Sequence, residues 1–223
     1  MKIIVLAGGL STERDVSLSS SAGICRTLLE KGHDAFLLDV FMGFPYEKDR
    51  LEEVFTLPDH GLDIVKNISE EEPDLAAVKA SRPDQSDCFL GPNVIELCRM
   101  ADITFLGLHG GEGENGKLQA TFDLLGIRYT GPDSLGCAIA MDKGVTKQIF
   151  QQAGVDTPKG VCIHKNKKKK ELDDLGLTLP VVVKPCSGGS SIGVYIAQTA
   201  EEYAEALENS FRYEDEVVIE EYI

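Results

Sequence analysis

The chain opens on Lys2 to Ala7, a compact β-branched and apolar run that stops at Gly8-Gly9, and from Ser19 to Leu29 apolar residues recur at helical spacing until Gly32. Strand, glycine turn and helix in that order open an α/β domain, and this feature constrains the fold most. His33 to Val40 resumes as a second strand. Its Phe36, Leu37 and Leu38 are too continuous for a strand with one solvated face and suit a parallel sheet covered on both sides. In such a sheet ligands bind outside the carboxyl ends of the strands, so a small ligand is expected beside Gly8-Gly9 and the Ser11-Thr12-Glu13-Arg14 that follows. The glycines lack the GxGxxG spacing of a dinucleotide site. Glu13 and Arg14 either hold opposite ends of an amino acid or pair with each other.

Between Pro45 and Pro92 the pattern loosens, which predicts an insertion with weak structure, a hairpin and a loop. Val94 to Met100 reads as a short helix, and Asp102 to Leu108 as a strand that delivers His109-Gly110-Gly111 to the same sheet edge. Leu118 to Leu125 follows as a helix closed by Gly126, and Ile127 to Thr130 as a return strand. The first domain is therefore expected over 1–130 and a second over 131–223. In the second, Ala138 to Ala153 reads as one helical stretch carrying Asp142 and Lys143, Val161 to Ile163 and Leu179 to Lys184 as strands, and Ala200 to Leu207 as a helix. Val217 to Ile223 reads as a strand with a free apolar edge, a feature proteins avoid, and this predicts that the chain is part of a longer enzyme.

Thirty-seven acidic against 22 basic side chains give a net charge of −15, which argues against a nonspecific nucleic-acid or anionic-membrane surface. The lysines at 167 to 170 have no interleaved aromatic residues and read as a solvated turn. No stretch approaches the roughly 18 apolar residues of a membrane span, and the N-terminal run is too short for a signal peptide. Six cysteines without a CxxC pair read as reduced thiols of a cytoplasmic protein. The four histidines, at 33, 60, 109 and 164, have no partners at metal-ligand spacing.

The second half carries Pro180-Val-Val-Val-Lys184-Pro185 and then Cys186-Ser-Gly-Gly-Ser-Ser-Ile-Gly193. A lysine ending an apolar strand beside a glycine-serine loop suits a polyphosphate, because the ammonium meets phosphate oxygens while the loop offers backbone N–H groups. The order differs from the Walker motif. Glu220 and Glu221 alternate along the terminal strand, so at most one faces a shared cleft.

Taken in order, Gly8-Gly9-Leu-Ser-Thr-Glu13-Arg14-Asp-Val16-Ser17-Leu18, His109-Gly110, Glu114-Asn115-Gly116-Lys-Leu-Gln119, Tyr129-Thr130-Gly131, Met141-Asp142-Lys143, Val183-Lys184-Pro185 and Gly189-Ser190-Ser191-Ile-Gly193 resemble the D-alanine:D-alanine ligases of the ATP-grasp superfamily. The resemblance spans nearly the whole chain apart from about 42–92. It implies an α/β protein: an N-terminal Rossmann-like (pre-ATP-grasp) parallel-sheet domain, then the first part of an ATP-grasp α+β domain. It also implies ATP-dependent joining of two D-alanines through an acyl phosphate for peptidoglycan, with ATP and Mg2+ or Mn2+, in a homodimer formed by the N-terminal domain.

By the same resemblance Glu13 orients the ammonium of the first D-alanine, with Val16, Ser17 and His109 beside that substrate. Ser190, with Ser191, belongs to a mobile loop that closes toward Glu13 and the phosphates. Lys143 and Lys184 hold ATP phosphates, while Glu220, Glu221 and Ile223 meet the adenine end. The glycine loop after the first strand and the one near 190 are then expected to serve one cleft. The family's metal ligands and its catalytic arginine are not matched in this sequence, so no metal ligand is assigned and the chain alone is expected to be inactive. Asn115, Ala120, Cys137 and Cys186 depart from the family's usual residues. These departures leave D-lactate or D-serine open as second substrate, and a noncatalytic amino-acid-binding module remains the alternative.

Overall fold

The computed structural model describes residues 1–223 except 46, 66–71, 168–170, 188 and 190–192, so most of the lysine run lies outside the described residues. The chain divides into two compact units, Met1–Leu135 and Gly136–Ile223.

In the first unit β1 (Lys2–Ala7) is the centre of a three-stranded parallel sheet, flanked by β2 (Asp34–Asp39) and β3 (Ile103–Leu106). Side-chain alternation splits β1 between two cores. Ile4 and Leu6 join Phe36, Leu97 and Phe122 on one face, while Ile3 and Val5 join Leu37 and the Leu18, Ala22 and Cys25 of helix α1 (Arg14–Glu30) on the other. Both faces are covered, as the continuous apolar run of the second strand predicts. Helix α1 begins five residues before the first residue of the apolar periodicity, because its first turn buries Arg14 and Ser17 instead of apolar side chains.

The segment after β2 differs from expectation. No hairpin occurs among its described residues; they form 3-10 turns at Lys48–Thr56 and Leu62–Ile64, and helix α2 (Leu75–Ser81). Leu51, Val54 and Phe55 stand at i, i+3 and i+4, so a helical turn, not a strand, lays all three on the core beneath Phe36 and Leu38. Asp74 caps α2 by accepting from the Ala77 N–H at 2.9 Å. Helices α3 (Val94–Met100) and α4 (Lys117–Leu125) complete the unit, and Gly126 closes α4 in the left-handed conformation. Ile127 to Thr130 makes only a single parallel bridge, Thr104 to Tyr129, in place of a strand.

In the second unit the expected helix over 138–153 is two: α5 (Ser134–Met141) and α6 (Lys143–Gln152). Asp142 breaks it and caps α6, its Oδ1 accepting from the Val145 N–H at 2.9 Å. The strands β4 (Gly160–His164), β5 (Val181–Pro185), β6 (Tyr195–Ala197) and β7 (Glu216–Glu221) form an antiparallel sheet in the order β4-β7-β5-β6. The expectation of a free apolar edge at the last strand is overturned, because β7 lies inside the sheet, hydrogen-bonded to β4 on one side and β5 on the other. A short helix, α7 (Leu172–Leu175), precedes β5, and α8 (Ala200–Ser210) packs Tyr203, Ala206 and Leu207 on the sheet. A reciprocal cap between Thr199 and Glu202 starts α8. No described helix is long and apolar enough to cross a membrane.

Candidate functional site

In the first unit two loops at the carboxyl edge of the sheet are joined by serines. Ser17 Oγ accepts from the Gly8 N–H at 3.0 Å and donates to the Gly107 carbonyl at 2.7 Å. Ser21 Oγ donates to the same carbonyl at 3.1 Å, and Ser11 Oγ to the His109 carbonyl at 2.6 Å. Ser17, expected beside the first substrate, is fully buried with its hydroxyl spent on backbone, and it holds the glycine turn against the histidine loop from within. Gly107 is required there, since a Cβ would stand 2.1 Å from Ser21 Oγ.

Arg14 and Glu13 part company, so neither reading of them as a pair survives. The Arg14 guanidinium turns inward, donating to the Gly9 carbonyl at 2.7 Å and pairing with Asp39, whose other oxygen accepts from the Phe41 and Met42 N–H groups at 2.9 and 3.1 Å. Glu13, half-buried at the N-cap of α1, has no hydrogen-bond or ion-pair partner for its carboxylate among the described residues. Its Oε2 lies 3.0 Å from the point where a Cβ on Gly110 would stand, so the glycine admits the carboxylate to the histidine loop. A carboxylate in that position, favoured by the helix dipole and lacking a cation, is suited to an ammonium ligand.

His109 is half-buried with Nε2 3.2 Å from Ser20 Oγ. The Ser20 hydroxyl also donates to the Val16 carbonyl at 2.8 Å, which ties it to α1. Val16 itself is 41% exposed. Asn115 Oδ1 accepts from the Lys117 N–H at 3.1 Å at the start of α4, a task an aspartate oxygen also performs.

In the second unit two lysines pair with one buried carboxylate and a third, Lys143, lies near one of them, Lys184. Glu220, on the interior strand, pairs with Lys147 at 2.9 Å through Oε2 and with Lys184 through Oε1. Burial works to raise the Glu220 pKa, but the hydrogen bonds from Lys184 and Lys147 prevail and hold it below the usual carboxylate range. Lys147 is itself buried and also donates to Thr157 Oγ1 at 3.0 Å and to the Pro158 carbonyl. Lys143 Nζ lies 3.4 Å from the Cys186 carbonyl. Burial pushes its pKa down; Glu214 opposes this shift and Lys184 adds to it.

Glu221 is exposed; its carboxylate accepts from the Lys159 N–H at 2.7 Å, so the two glutamates do point oppositely, with Glu220 toward the lysines. Ile223 is exposed beyond the strand end. Ser190 and Ser191 lie outside the described residues. The flanks of their loop are anchored: the Ser187 N–H donates to Glu214 at 2.9 Å, and Ser210 Oγ donates to the Gly193 carbonyl at 3.1 Å. Sequence reasoning missed Asp39 and Lys147. Each carried a signal: Asp39 ends β2 at the ligand edge of the sheet, and Lys147 stands one helical turn from Lys143.

The family model described as "D-ala D-ala ligase N-terminus" matches residues 2–132, more than half of the chain, and "D-ala D-ala ligase C-terminus" matches 149–223. The D-alanine--D-alanine ligase of Lacticaseibacillus casei is 41% identical over 222 residues, covering 100% of this chain and 61% of that protein. The chain thus spans about three fifths of the length of such curated relatives. Among solved structures, the D-alanine--D-alanine ligase from Bacillus anthracis complexed with ATP is 28% identical with a TM-score of 0.68, covering 100% of this chain and 59% of that one. The VanG D-Ala:D-Ser ligase from Enterococcus faecalis is 29% identical with a TM-score of 0.68, covering 100% and 62%. With its parallel N-terminal sheet, its antiparallel second sheet and matches over both parts, the chain belongs to the D-alanine–D-alanine ligase family.

Proposed function

We propose that these residues serve the ATP-dependent joining of two D-alanines. The observation that carries this reading is the pairing of Lys147 and Lys184 on one buried carboxylate with the half-buried Lys143 close enough to Lys184 to feel its charge, three ammonium groups in one neighbourhood of a chain of net charge −15. The residues fit a nucleoside triphosphate. Lys184 spends one donor on Glu220 and has others for phosphate oxygens, and Lys143 gains from a negative ligand the compensation that burial denies it. The strand end from Glu221 to Ile223 borders the adenine, and Ser190 and Ser191 cover the phosphates. For Mg2+ or Mn2+ the described residues do not fit. The three-ligand group they contain, Cys162, Cys186 and Glu216, is rich in thiols, whereas these cations take oxygens.

The amino-acid end of the reaction is assigned to the first unit. Glu13 takes the ammonium of the first D-alanine, and His109, held by Ser20, stands beside that substrate near Val16. Ser17 positions the loops. A carboxylate is a poor acyl donor, so phosphorylation must precede attack by the second amine. The lysines stabilise the charge of the transferring phosphoryl group, and loop closure keeps water from the acyl phosphate. The product is a peptidoglycan precursor, made in the cytoplasm by a homodimer that binds neither nucleic acid nor membrane. D-Serine as acceptor is a second reading, favoured by the likeness to the D-Ala:D-Ser ligase.

The test is product analysis with D-alanine, D-serine and D-lactate, using the chain as it stands and joined to the further length its relatives have. The longer form is expected to release ADP, phosphate and D-alanyl-D-alanine; failure with all three acceptors would leave a noncatalytic amino-acid-binding module. In the active form Glu13→Gln keeps the shape and removes the charge, so kcat/KM for D-alanine is expected to fall about 10–100-fold with ATP affinity unchanged. Unaltered efficiency would remove Glu13 from the substrate site.

A further inference from the structure

We infer that Cys162 and Cys186 form a dithiol site which hydrogen peroxide converts to an intramolecular disulfide at the base of the glycine-serine loop. The two sulfurs lie 2.9 Å apart, on residues 24 positions distant in sequence. A disulfide needs about 2.05 Å between them, so closure asks for a movement of under an ångström at the sulfurs. Cys162 sits on β4 opposite Val218 of β7, and the Cys186 N–H donates to the Glu216 carbonyl at 3.2 Å, so the two thiols flank the beginning of the interior strand β7 from its two neighbours.

Their environments divide the chemistry. Cys162 is half-buried and Cys186 is 3% exposed, so the oxidant meets Cys162 first. The hydrogen bond between them pushes the Cys162 pKa down, against desolvation and the nearby carboxylates, and the Cys186 pKa up. The Cys162 thiolate attacks a peroxide oxygen and breaks the O–O bond; the leaving hydroxide takes a proton to become water, and Cys162 becomes a sulfenic acid. Cys186 sulfur then attacks that sulfur, and the sulfenic oxygen leaves with the Cys186 proton as a second water. Two thiols and one peroxide give one disulfide and two waters.

The site is coupled to the lysine cluster by its backbone. The Cys186 carbonyl accepts from the Lys143 N–H at 2.9 Å and lies 3.4 Å from Lys143 Nζ, and Ser187 follows directly as the anchored start of the loop. Drawing Cys186 toward Cys162 therefore displaces an acceptor of Lys143, and ATP affinity falls. This second step rests on the ATP reading given above.

The experiment treats the reduced chain with peroxide and reads the intact mass, the linked peptides and ATP binding. A loss of about 2 Da with one peptide joining Cys162 to Cys186, reversed by dithiothreitol and absent in Cys162→Ser, is the expected result. Addition of oxygen without that linkage, or linkage of other cysteines, overturns the proposal. So does zinc binding that is lost in Cys162→Ser and blocks oxidation, which would make the cluster with Glu216 a metal site. Oxidation is expected to weaken ATP binding at least tenfold in the parent chain and to leave Cys162→Ser unaffected. If the disulfide forms and affinity holds, the coupling is refuted; if the reduced chain binds no ATP either alone or joined to the further length its relatives have, the nucleotide reading fails while the dithiol stands on its mass.

Discussion

Glu220→Ala is expected to destabilise the second unit by about 3–5 kcal/mol, because it leaves the buried Lys147 ammonium facing Lys184 with no carboxylate between them. Lys147 retains Thr157 and the Pro158 carbonyl, which satisfy its donors and not its charge. Lys184→Met is expected to cost much less stability, since Lys184 is the more exposed partner and Glu220 keeps Lys147. Urea unfolding of the variants side by side checks the order. Acid supplies a second check. Glu220 has a depressed pKa, so its stabilisation is present above the ordinary carboxylate value and is lost as pH falls through the depressed one. The parent is expected to lose stability across that window and Glu220→Ala to lack this contribution. Equal urea midpoints for parent and Glu220→Ala would mean that the lysines are compensated elsewhere.

The second large effect lies in the other unit. Asp39→Ala strands the Arg14 guanidinium and also removes the acceptor of two N–H groups at the end of β2, so a loss of about 3–5 kcal/mol is expected. Arg14→Lys is expected to be destabilising too. One ammonium does not reproduce the fork that reaches the Gly9 carbonyl and Asp39 together. Because Glu13 is the next residue, loosening this turn is also expected to raise KM for D-alanine in an active form more than it lowers kcat. Unfolding midpoints and steady-state kinetics of Arg14→Lys measure both. A variant as stable as the parent with an unchanged KM would show that the guanidinium does not hold the Glu13 turn.

Local signals were legible wherever one element decided the outcome. Val94 to Met100 is helical as its spacing predicts, and Lys2 to Ala7 is a strand buried on both faces. The family was readable because its motifs keep their order along the chain, and the comparisons bear that out. The hairpin expected between Pro45 and Pro92 does not form around Leu51, Val54 and Phe55, because three apolar residues in a polar stretch are ambiguous until the core they cover is known. The break at Asp142 was missed because an apolar-to-polar rhythm runs on past a residue whose carboxylate prefers the helix N-terminus.

The sequence by itself determined the α/β opening, the two glycine-bearing loops and the residue types able to bind an amino acid and a polyphosphate, since periodicity and turn chemistry act over a few residues. Tertiary structure alone decided which of those side chains remain available. Ser17 and Arg14 are consumed by partners far along the chain, Glu13 is left unpaired among the described residues, and β7 sits between two strands instead of at an edge. Lys147, Lys184 and Glu220 come from a helix and two strands, and Cys162 meets Cys186 across a third element. Such pairings depend on strand register and helix placement, and the free energy of a buried charge depends on its neighbours in space rather than in sequence.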